Sequence, residues 1–370
     1  MRVLELINNN QDWEDILAQP PYCIKIKRDG NYVILKYNQL NSDFSNPIVR
    51  ECRGAIFYLN DNDKYECVCR AFDKFGNWGE SYVKEVDWNN TVVEEKIDGS
   101  LIKIWHHNDE WHVSTNGTID AFEAQIGDTE LTFGDLVNKA IGCSLIPYFL
   151  EELDKNTTYM FELVSPESKV TIFYPETKLY YLGQRDMNTM IESKQYTDHM
   201  QEYGILCPKI YPLSNIESCL AYVKNMSKDE EGFVIRDKDF NRIKLKSPKY
   251  LMAFRMNNNG VITIRRIIKM LKADIIDDFM AYCPEYTNMA QEVINDINNV
   301  ASYMEFLWDN TPTVIKQNRK EFAAHVQEFF CKEFLFVKLG HPELAATEWL
   351  MSQSTNKIED MIKLLKIYYS

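Results

Sequence analysis

The spacing of the apolar residues changes near residue 250, and this change constrains the fold more than any other feature of the chain. Before that point, short alternating segments typical of β-strands are separated by Asp, Asn and Gly turns. After it, apolar residues recur with the period of an amphipathic helix. Twelve of the 14 glycines and nine of the 12 prolines lie in residues 1–250, as expected for a turn-rich region. We therefore predict the α+β class, with a domain of antiparallel sheets and helices over residues 1–250 and a small all-α domain over residues 251–370.

The same periodicities predict the individual elements. Alternation predicts strands at residues 23–27, 32–37, 55–59, 92–96, 101–105, 111–114, 159–163, 170–174, 179–182, 232–236 and 242–246. Helical spacing predicts helices around residues 121–124, 133–153 and 215–225, and then at 262–282, 289–308, 314–338, 341–351 and 356–369. The sequence Asn-Asn-Asn-Gly at residues 257–260 is typical of a turn or linker.

Length and charge exclude several classes of protein. A chain of 370 residues with 45% hydrophobic residues can bury two cores. Its formal net charge of −14 excludes a protein that coats nucleic acid through a general excess of Lys and Arg, so a nucleic-acid partner would need a local basic site. The first 20 residues include Glu5, Asp12, Glu14 and Asp15, whereas a signal peptide needs an apolar run there. No apolar stretch of the sequence is long enough to span a bilayer. We expect a cytoplasmic protein whose nine cysteines are free thiols.

One tight turn carries side chains capable of chemistry. Lys96-Ile97-Asp98-Gly99-Ser100 lies between two predicted strands. An Asp-Gly pair in that position is typical of an ordinary hairpin, so by itself the motif does not indicate catalysis.

Two further lysines share a face of one predicted strand. Alternation places Lys244 and Lys246 on one side, and Ile243 and Leu245 on the other. Like charges on a half-buried face repel each other, so this face is either solvated or binds a polyanion. Other segments add charged candidates, namely Glu51-Cys52-Arg53-Gly54, Phe72-Asp73-Lys74-Phe75, Phe161-Glu162-Leu163 and Glu231-Gly232-Phe233-Val234.

Taken together and in order, these segments resemble a known set of motifs. Lys96-x-Asp98-Gly99, Phe161-Glu162-Leu163, Glu231-Gly232 and Lys244-x-Lys246 resemble the ordered motifs of covalent nucleotidyltransferases. Glu51-Cys52-Arg53-Gly54 and Lys74-Phe75-Gly76-Asn77 narrow the resemblance to the phage tRNA-repair ATP-dependent RNA ligases of the RNA ligase 1 type. It covers nearly the whole chain, including a helical second domain where DNA ligases and capping enzymes would carry an OB fold.

The resemblance implies a three-step reaction that joins RNA 3′-hydroxyl and 5′-phosphate ends. Lys96 would attack ATP to form a covalent lysyl-AMP and release pyrophosphate. The AMP would pass to an RNA 5′-phosphate, and a 3′-hydroxyl would then displace it. The implied catalytic residues are Lys96, Asp98, Glu231, Lys244 and Lys246, of which Asp98 and Glu231 would hold Mg²⁺ or Mn²⁺. The implied nucleotide-binding residues are Arg53, Lys74, Lys96, Gly99, Asn116, Glu162, Gly232, Lys244 and Lys246.

Elementary electrostatics is consistent with these roles. A free lysine amine has a pKa of about 10.4, so it must be deprotonated before it can attack phosphorus at neutral pH. Lys244, Lys246 and a bound metal beside Lys96 would favour the neutral amine, whereas Glu94, on the same strand face, would oppose them. The partner implied is RNA, with a nicked tRNA anticodon loop as the candidate, and we expect a monomer without a membrane, in the host cytoplasm if a phage encodes it.

Two alternatives remain open from the residues alone. One is another covalent nucleotidyltransferase, such as an mRNA-capping guanylyltransferase or a DNA ligase. The other is an inactive nucleic-acid-binding relative that retains the fold.

Two positions depart from the family pattern: Gly76, where a Phe is typical after Lys-Phe, and Asn116. The glycine that corresponds to Gly117 often follows a basic residue that contacts nucleotide phosphates, and here it follows Asn116. We expect a weaker grip on phosphate at this turn. Asn116→Lys should therefore tighten apparent ATP affinity about fivefold, less so at high salt.

Overall fold

Three antiparallel sheets form the first part of the chain. The first has the order β1-β2-β3-β4, with β1 Ile24–Asp29, β2 Tyr32–Tyr37, β3 Arg53–Leu59 and β4 Tyr65–Cys69. The second contains β6 Ser100–His107, β7 Glu110–Ser114, β8 Thr157–Val164, β9 Lys178–Asp186 and β10 Glu192–Ser193, in the order β10-β9-β8-β6-β7. The third contains β5 Val92–Glu95, β11 Ile210–Tyr211, β12 Gly232–Arg236 and β13 Arg242–Lys246, in the order β11-β5-β12-β13.

This architecture comes from a computed structural model, which describes residues 1–39, 41–127, 129–250, 262–272, 276–282 and 286–369. The chain divides into two compact units, Met1–Asn257 and Asn258–Ser370. The predicted linker at residues 257–260 lies outside the described residues, as does the chain just after the predicted boundary at residue 250. Both therefore stay predictions.

Helices cover one face of each sheet in the first unit. They are α1 Arg2–Asn9, α2 Trp13–Ala18, α3 Pro47–Glu51, α4 Phe133–Ile141, α5 Ile146–Glu151, α6 Asp198–Glu202 and α7 Ile216–Val223. The apolar sides of α1 and α2 pack on Val33 and Leu35 of the first sheet. Helices α4 and α5 cover the second sheet, and α7 covers the third. Each sheet therefore buries one face in its own apolar core and leaves the other face for different contacts.

Two predicted elements of the first unit are wrong, and a third is interrupted. Residues 170–174 are not a strand, because the N–H groups of Thr171 and Ile172 donate to Asp98 instead of to a neighbouring strand. Residues 121–124 form a turn rather than a helix. The helix predicted over 133–153 stops at Gly142, whose φ of +96° is incompatible with a continuing right-handed helix.

The described part of the second unit contains helices and no strand, as predicted. They are α8 Ile264–Lys272, α9 Ile276–Tyr282, α10 Thr287–Asn310, α11 Thr313–Gln317, α12 Arg319–Val326, α13 Lys332–Gly340, α14 Ala346–Ser352 and α15 Thr355–Tyr369. The single helix predicted over 314–338 is three shorter ones, which bury Phe322 and Phe334 completely. Across the described residues, no helix has both the length and the apolar sequence needed to cross a bilayer. The predicted α+β class, with a helical second part, is confirmed.

Candidate active site

Lys96 lies directly after β5, where the pairing of β5 with β12 fixes its backbone. Its N–H donates to the carbonyl of Gly232 at 2.9 Å. Its Nζ is 2.8 Å from Oε2 of Glu231, and the Nζ of Lys246 is 2.8 Å from Oε1 of the same carboxylate. The side chain of Lys96 is 21% exposed, against 2% for Glu231 and 3% for Lys246. Of the three groups, the amine of Lys96 is the one a ligand can reach.

The two lysines of β13 occupy the face that alternation predicts. Ile243 and Leu245 pack in the core beneath α7, so Lys244 and Lys246 point to the opposite side of the sheet. Both lysines are buried, which rules out a simply solvated face. The carbonyl of Lys244 accepts a hydrogen bond from the N–H of Trp78 at 2.9 Å, so the segment after Lys74 runs beside β13.

Asp98 is buried and hydrogen-bonded on both carboxylate oxygens. Oδ2 accepts the N–H groups of Thr171 at 2.9 Å and Ile172 at 2.7 Å, and Oδ1 accepts the hydroxyl of Tyr250 at 3.0 Å. Burial and the nearby Glu231 carboxylate raise the pKa of Asp98 to about 6. Asp98 therefore holds the 171–172 loop against the turn that carries Lys96.

The glycines of two motifs are required by close approach of backbone to backbone. A Cβ on Gly99 would lie 2.3 Å from the carbonyl oxygen of Leu163. A Cβ on Gly232, whose φ is +142°, would lie 2.1 Å from the carbonyl oxygen of Leu245. Any side chain at either position would push apart the strands that carry the charged residues.

Glu162 lies on β8 beside the motif turn, since a Cβ on Gly99 would be 3.0 Å from its Cγ. Burial raises the pKa of Glu162 to about 7, although the positive charges of Lys96 and Arg53 act to lower it. Glu162 thus shares its electrostatic environment with both cations. It can change charge near neutral pH.

Arg53 reaches this region through a β-bulge. Lys36 of β2 pairs with Arg53, the register shifts between Leu35 and Lys36, and the intervening Gly54 has a φ of +69°. The guanidinium of Arg53 lies 4.5 Å from the ring centroid of Phe72. Its Nη1 is buried and has no hydrogen-bond partner. A buried guanidinium nitrogen without a partner costs free energy, and an anion that accepted a hydrogen bond from it would remove that cost.

Lys74 is buried against the first sheet. Its Nζ lies 4.8 Å from the ring centroid of Phe44 and 5.2 Å from that of Tyr37, with Oε1 of Gln39 at 3.5 Å. The aromatic rings hold the ammonium by cation–π attraction. The structure therefore places Lys74 with the first sheet, whereas Lys96, Lys244 and Lys246 belong to the third.

The expected opposition from Glu94 is wrong. Its carboxylate Oε1 lies 2.9 Å from Nζ of Lys194 and 3.5 Å from Nη2 of Arg236. The two cations neutralise Glu94, and the carboxylate that pairs with Lys96 is Glu231.

Sequence reasoning missed two residues that shape the site. Lys103 of β6 is completely buried and donates to the carbonyl of Gly54, and burial lowers its pKa. The sequence did carry a signal for Lys103, because alternation places this charged residue on the same strand face as the apolar Leu101 and Trp105. Tyr250 donates a hydrogen bond to Asp98, and no pattern in the sequence indicates this contact.

No group of three or more His, Cys, Asp and Glu close enough to hold a metal ion occurs among the described residues. Two carboxylates, Asp98 and Glu231, come near each other, since the charge of Glu231 raises the pKa of Asp98. All four oxygens already accept hydrogen bonds or pair with lysines. With these oxygens occupied, the pair offers no closed protein cage, and a hydrated Mg²⁺ or Mn²⁺ would be held there largely through water.

The structure thus brings together a reachable lysine amine, two further buried lysines and two carboxylates on antiparallel sheets, the residue types that the resemblance to covalent nucleotidyltransferases predicts. Comparison with known proteins specifies the family. Residues 51–250 match the family model described as RNA ligase, which is more than half of the chain, and the chain belongs to that family. The predicted family relationship is confirmed.

Two relatives carry names that include RNA ligase. A candidate bifunctional polynucleotide kinase/RNA ligase of Autographa californica nuclear polyhedrosis virus is 30% identical over 75% of this chain and 41% of its own length. This chain thus spans about two fifths of that relative. An RNA ligase of Rhodothermus phage RM378 is 23% identical over 86% of this chain and 87% of its own length. A solved archaeal ATP-dependent RNA ligase covers 81% of this chain and 82% of its own, at 15% identity and a TM-score of 0.46, a distant likeness from which we draw nothing about function.

Proposed function

We propose that this protein is an ATP-dependent RNA ligase that joins RNA 3′-hydroxyl and 5′-phosphate ends through a lysyl-AMP on Lys96 and an adenylated RNA. The observation that carries the proposal is the position of Lys96. Its partly exposed amine shares the carboxylate of Glu231 with the buried Lys246, at 2.8 Å on each side. Membership of the RNA ligase family supports the same reaction.

In the first step, Nζ of Lys96 attacks the α-phosphorus of ATP. A nitrogen–phosphorus bond forms, the bond to pyrophosphate breaks, and the nitrogen loses two of the three protons of the ammonium, keeping one in the phosphoramidate. Glu231 holds the ammonium before attack, so its Oε2, 2.8 Å from Nζ, is within reach to receive a proton. Lys246 and Lys244 neutralise negative charge on the phosphate during transfer, and their burial on the same strand face supports this role.

Asp98 and Glu231 are the residues that would hold a divalent metal. When bound, Mg²⁺ or Mn²⁺ would supply positive charge to the phosphates and favour the neutral form of the attacking amine. Asp98 itself acts on the chain by fixing the 171–172 loop through its two hydrogen-bonded amides.

Nucleotide recognition is assigned to the surrounding strands. Glu162 accepts hydrogen bonds from ribose hydroxyls, and Arg53 offers its unpaired Nη1 to the outer phosphates of ATP or to RNA. Lys74 serves the same anions from the first sheet. The remaining assigned positions are Gly99, Asn116 and Gly232, where the backbone comes close to other groups.

The later steps need RNA as substrate. AMP passes from Lys96 to a 5′-phosphate, and a 3′-hydroxyl then displaces AMP to form the phosphodiester. We infer a role in RNA repair, with a nicked tRNA anticodon loop as the candidate substrate. We also infer that the enzyme is a monomer and that it acts in a host cytoplasm. An RNA ligase from a phage among the relatives supports the action in a host cell.

Mass spectrometry of the intact protein and of its peptides tests the first step. After incubation with ATP and Mg²⁺, we expect an added AMP on the peptide that contains Lys96, and pyrophosphate should remove it. An adduct on another residue, or none under conditions where the protein is folded, would refute the assignment.

Nucleotide and end preference separate the remaining alternatives. The adduct should form from α-labelled ATP and not from GTP, which a capping guanylyltransferase would use. The adenylated enzyme should seal RNA ends better than matched DNA ends, whereas a DNA ligase would show the reverse preference. A folded protein that is labelled by neither nucleotide would be an inactive relative.

A further inference from the structure

The turn that contains Asn116 is fixed against the bulge of the first sheet. Oγ1 of Thr115 accepts the N–H groups of Gly117 and Thr118, each at 3.1 Å, which closes the turn. A Cβ on Gly54 would lie 2.9 Å from both Cα and the carbonyl oxygen of Asn116. The backbone of Asn116 therefore packs directly on the residue that follows Arg53.

The bulge also decides which side chains meet at this turn. On β2, Ile34 packs towards Trp105 of the second sheet, and Lys36 is two residues further along the same face. Gly54, in the left-handed region, is the extra residue of β3 that allows Arg53 to pair with Lys36. The two cationic residues are thus paired across neighbouring strands, on the side that faces the second sheet.

Lys36 reaches the turn itself. Its Nζ would lie 3.7 Å from a Cβ on Gly117, and its Cδ 3.8 Å, so the ammonium sits beside the residue that follows Asn116. The turn directly follows Ser114, which pairs with Lys103 of β6, and Glu162 of β8 pairs with Leu101 of the same strand. The turn and Glu162 therefore belong to the same end of the second sheet, where Arg53 also acts electrostatically on Glu162. A positive charge is therefore already present at the position where Asn116 offers only an amide.

We propose that Lys36 binds the phosphates of ATP at the turn of residues 115–118 and supplies the positive charge that Asn116 lacks. This inference rests on the proposed adenylation of Lys96. It changes the expectation for Asn116→Lys, because a second cation beside Lys36 adds little and is partly offset by repulsion between the two ammonium groups.

The first experiment measures self-adenylation against ATP concentration for Lys36→Ala and Lys36→Gln. Loss of one charge-assisted contact should raise the apparent KM for ATP about tenfold, with a smaller effect on the maximal rate. The increase should shrink as salt rises. Lys64→Ala is the matched control, because Lys64 is an exposed lysine in the turn between β3 and β4, and it should leave the apparent KM unchanged.

The second experiment places Asn116→Lys in two backgrounds. In the Lys36→Ala protein it should recover about fivefold of the lost ATP affinity, since a cation returns to the same turn. In the protein with Lys36 intact, the gain should be less than about twofold. Equal gains in both backgrounds would mean that the two positions act independently, and would overturn the proposal.

The outcomes separate this inference from the function on which it rests. If the unsubstituted protein forms no adduct on Lys96, the proposed function fails. If it forms the adduct and both Lys36 variants, with unchanged unfolding midpoints, have unchanged apparent KM values, the assignment of Lys36 fails. Sealing of pre-adenylated RNA should stay near normal in these variants. Loss of sealing with intact ATP affinity would assign Lys36 to RNA phosphates and overturn its assignment to ATP.

Discussion

The two units of the protein bury different kinds of side chains. In the described part of the first unit, Met1–Asn257, the buried charged residues are Lys74, Glu94, Asp98, Lys103, Arg185, Glu231, Asp237, Lys244 and Lys246. In the described part of the second unit, buried polar or charged side chains are limited to Thr311 and Lys338. A buried charge costs free energy unless it is paired, so many of them in one unit indicate a purpose other than stability.

The arrangement of those charges shows the same contrast. In the first unit, Lys96 and Lys246 share the carboxylate of Glu231, and the amine of Lys96 remains partly exposed. In the second unit, Lys338 is satisfied by Oε2 of Glu305 at 2.6 Å and by the carbonyl of Leu344 at 3.0 Å. We infer that the buried charges around Lys96 serve chemistry and that the ion pair of Lys338 in the second unit serves stability. Each prediction below tests one side of this contrast.

The largest effect is expected from Lys96→Ala. It should abolish self-adenylation and the joining of unactivated RNA, because no other amine is both reachable and placed beside Glu231 and Lys246 in the described structure. Sealing of pre-adenylated RNA should persist, since that step does not use the nucleophile. Labelling with α-labelled ATP measures the first activity. A labelled Lys96→Ala protein would contradict the assignment, and Lys64→Ala provides the control.

Substitution of either lysine on β13 should have the next largest effect. Lys244→Ala and Lys246→Ala should each slow self-adenylation by about 10²–10³-fold, the usual cost of losing one charge-stabilising contact in a transition state. Single-turnover rates at saturating ATP measure this step. Because Lys246 is a buried partner of Glu231, its removal should also destabilise the fold, by roughly 3 kcal/mol.

Rates for the Lys246 variant therefore need to be measured well below its unfolding midpoint. Lys246→Met, which keeps most of the side-chain volume, serves as a second variant. Near-normal adenylation in both Lys244→Ala and Lys246→Met would remove these lysines from the chemistry.

Glu162 should give a moderate, pH-dependent effect. Its pKa of about 7 means that the carboxylate becomes protonated as the pH falls from 8 to 6. The protonated form accepts hydrogen bonds from ribose less well, so apparent ATP affinity should fall severalfold over that range. Glu162→Gln should bind ATP more weakly at pH 8 and show little further loss at pH 6. Dividing the KM of Glu162→Gln by that of the unsubstituted protein at each pH cancels the effect of the titration of ATP itself.

Stability should follow the opposite trend with pH. Because the pKa of Glu162 is raised in the folded state, its charged form is disfavoured there, and the associated stability is lost as the pH rises through about 7. Glu162→Gln should therefore gain stability relative to the unsubstituted protein between pH 5 and pH 8, on the order of 2 kcal/mol. Urea unfolding at several pH values measures the difference. A constant difference across the range would place the pKa of Glu162 elsewhere.

The smallest effect on chemistry is expected in the second unit. Lys338→Met should lower the free energy of unfolding of that unit by roughly 2 kcal/mol, because it leaves the carbonyl of Leu344 and Oε2 of Glu305 without this partner. The rate of self-adenylation in the folded protein should stay within about twofold. A large loss of adenylation without unfolding would show that the helical unit contributes to the first step, and would break the contrast between the two units.

The spacing of apolar residues along the chain was sufficient to predict many of the strands and helices. The alternation in residues 242–246 correctly predicted β13 and the shared face of Lys244 and Lys246. It failed at residues 170–174, where the backbone donates to Asp98, a carboxylate more than 70 residues earlier in the chain. It also missed the breaks in the predicted helices, because a helical period persists in the side chains across positions where Gly142 or a short turn stops the backbone.

The sequence by itself determined the periods of the two units, the order of the motifs and the residue types at each position. Those properties depend on neighbours within a few residues, through backbone preference and side-chain spacing. The tertiary structure alone decided that Glu231 joins Lys96 to Lys246, that Glu94 pairs with Lys194, and that Lys36 reaches the turn of Asn116. These contacts depend on strand register, on the bulge at Gly54 and on how the sheets pack. A shift of one residue in register would send each side chain to the other face of its sheet.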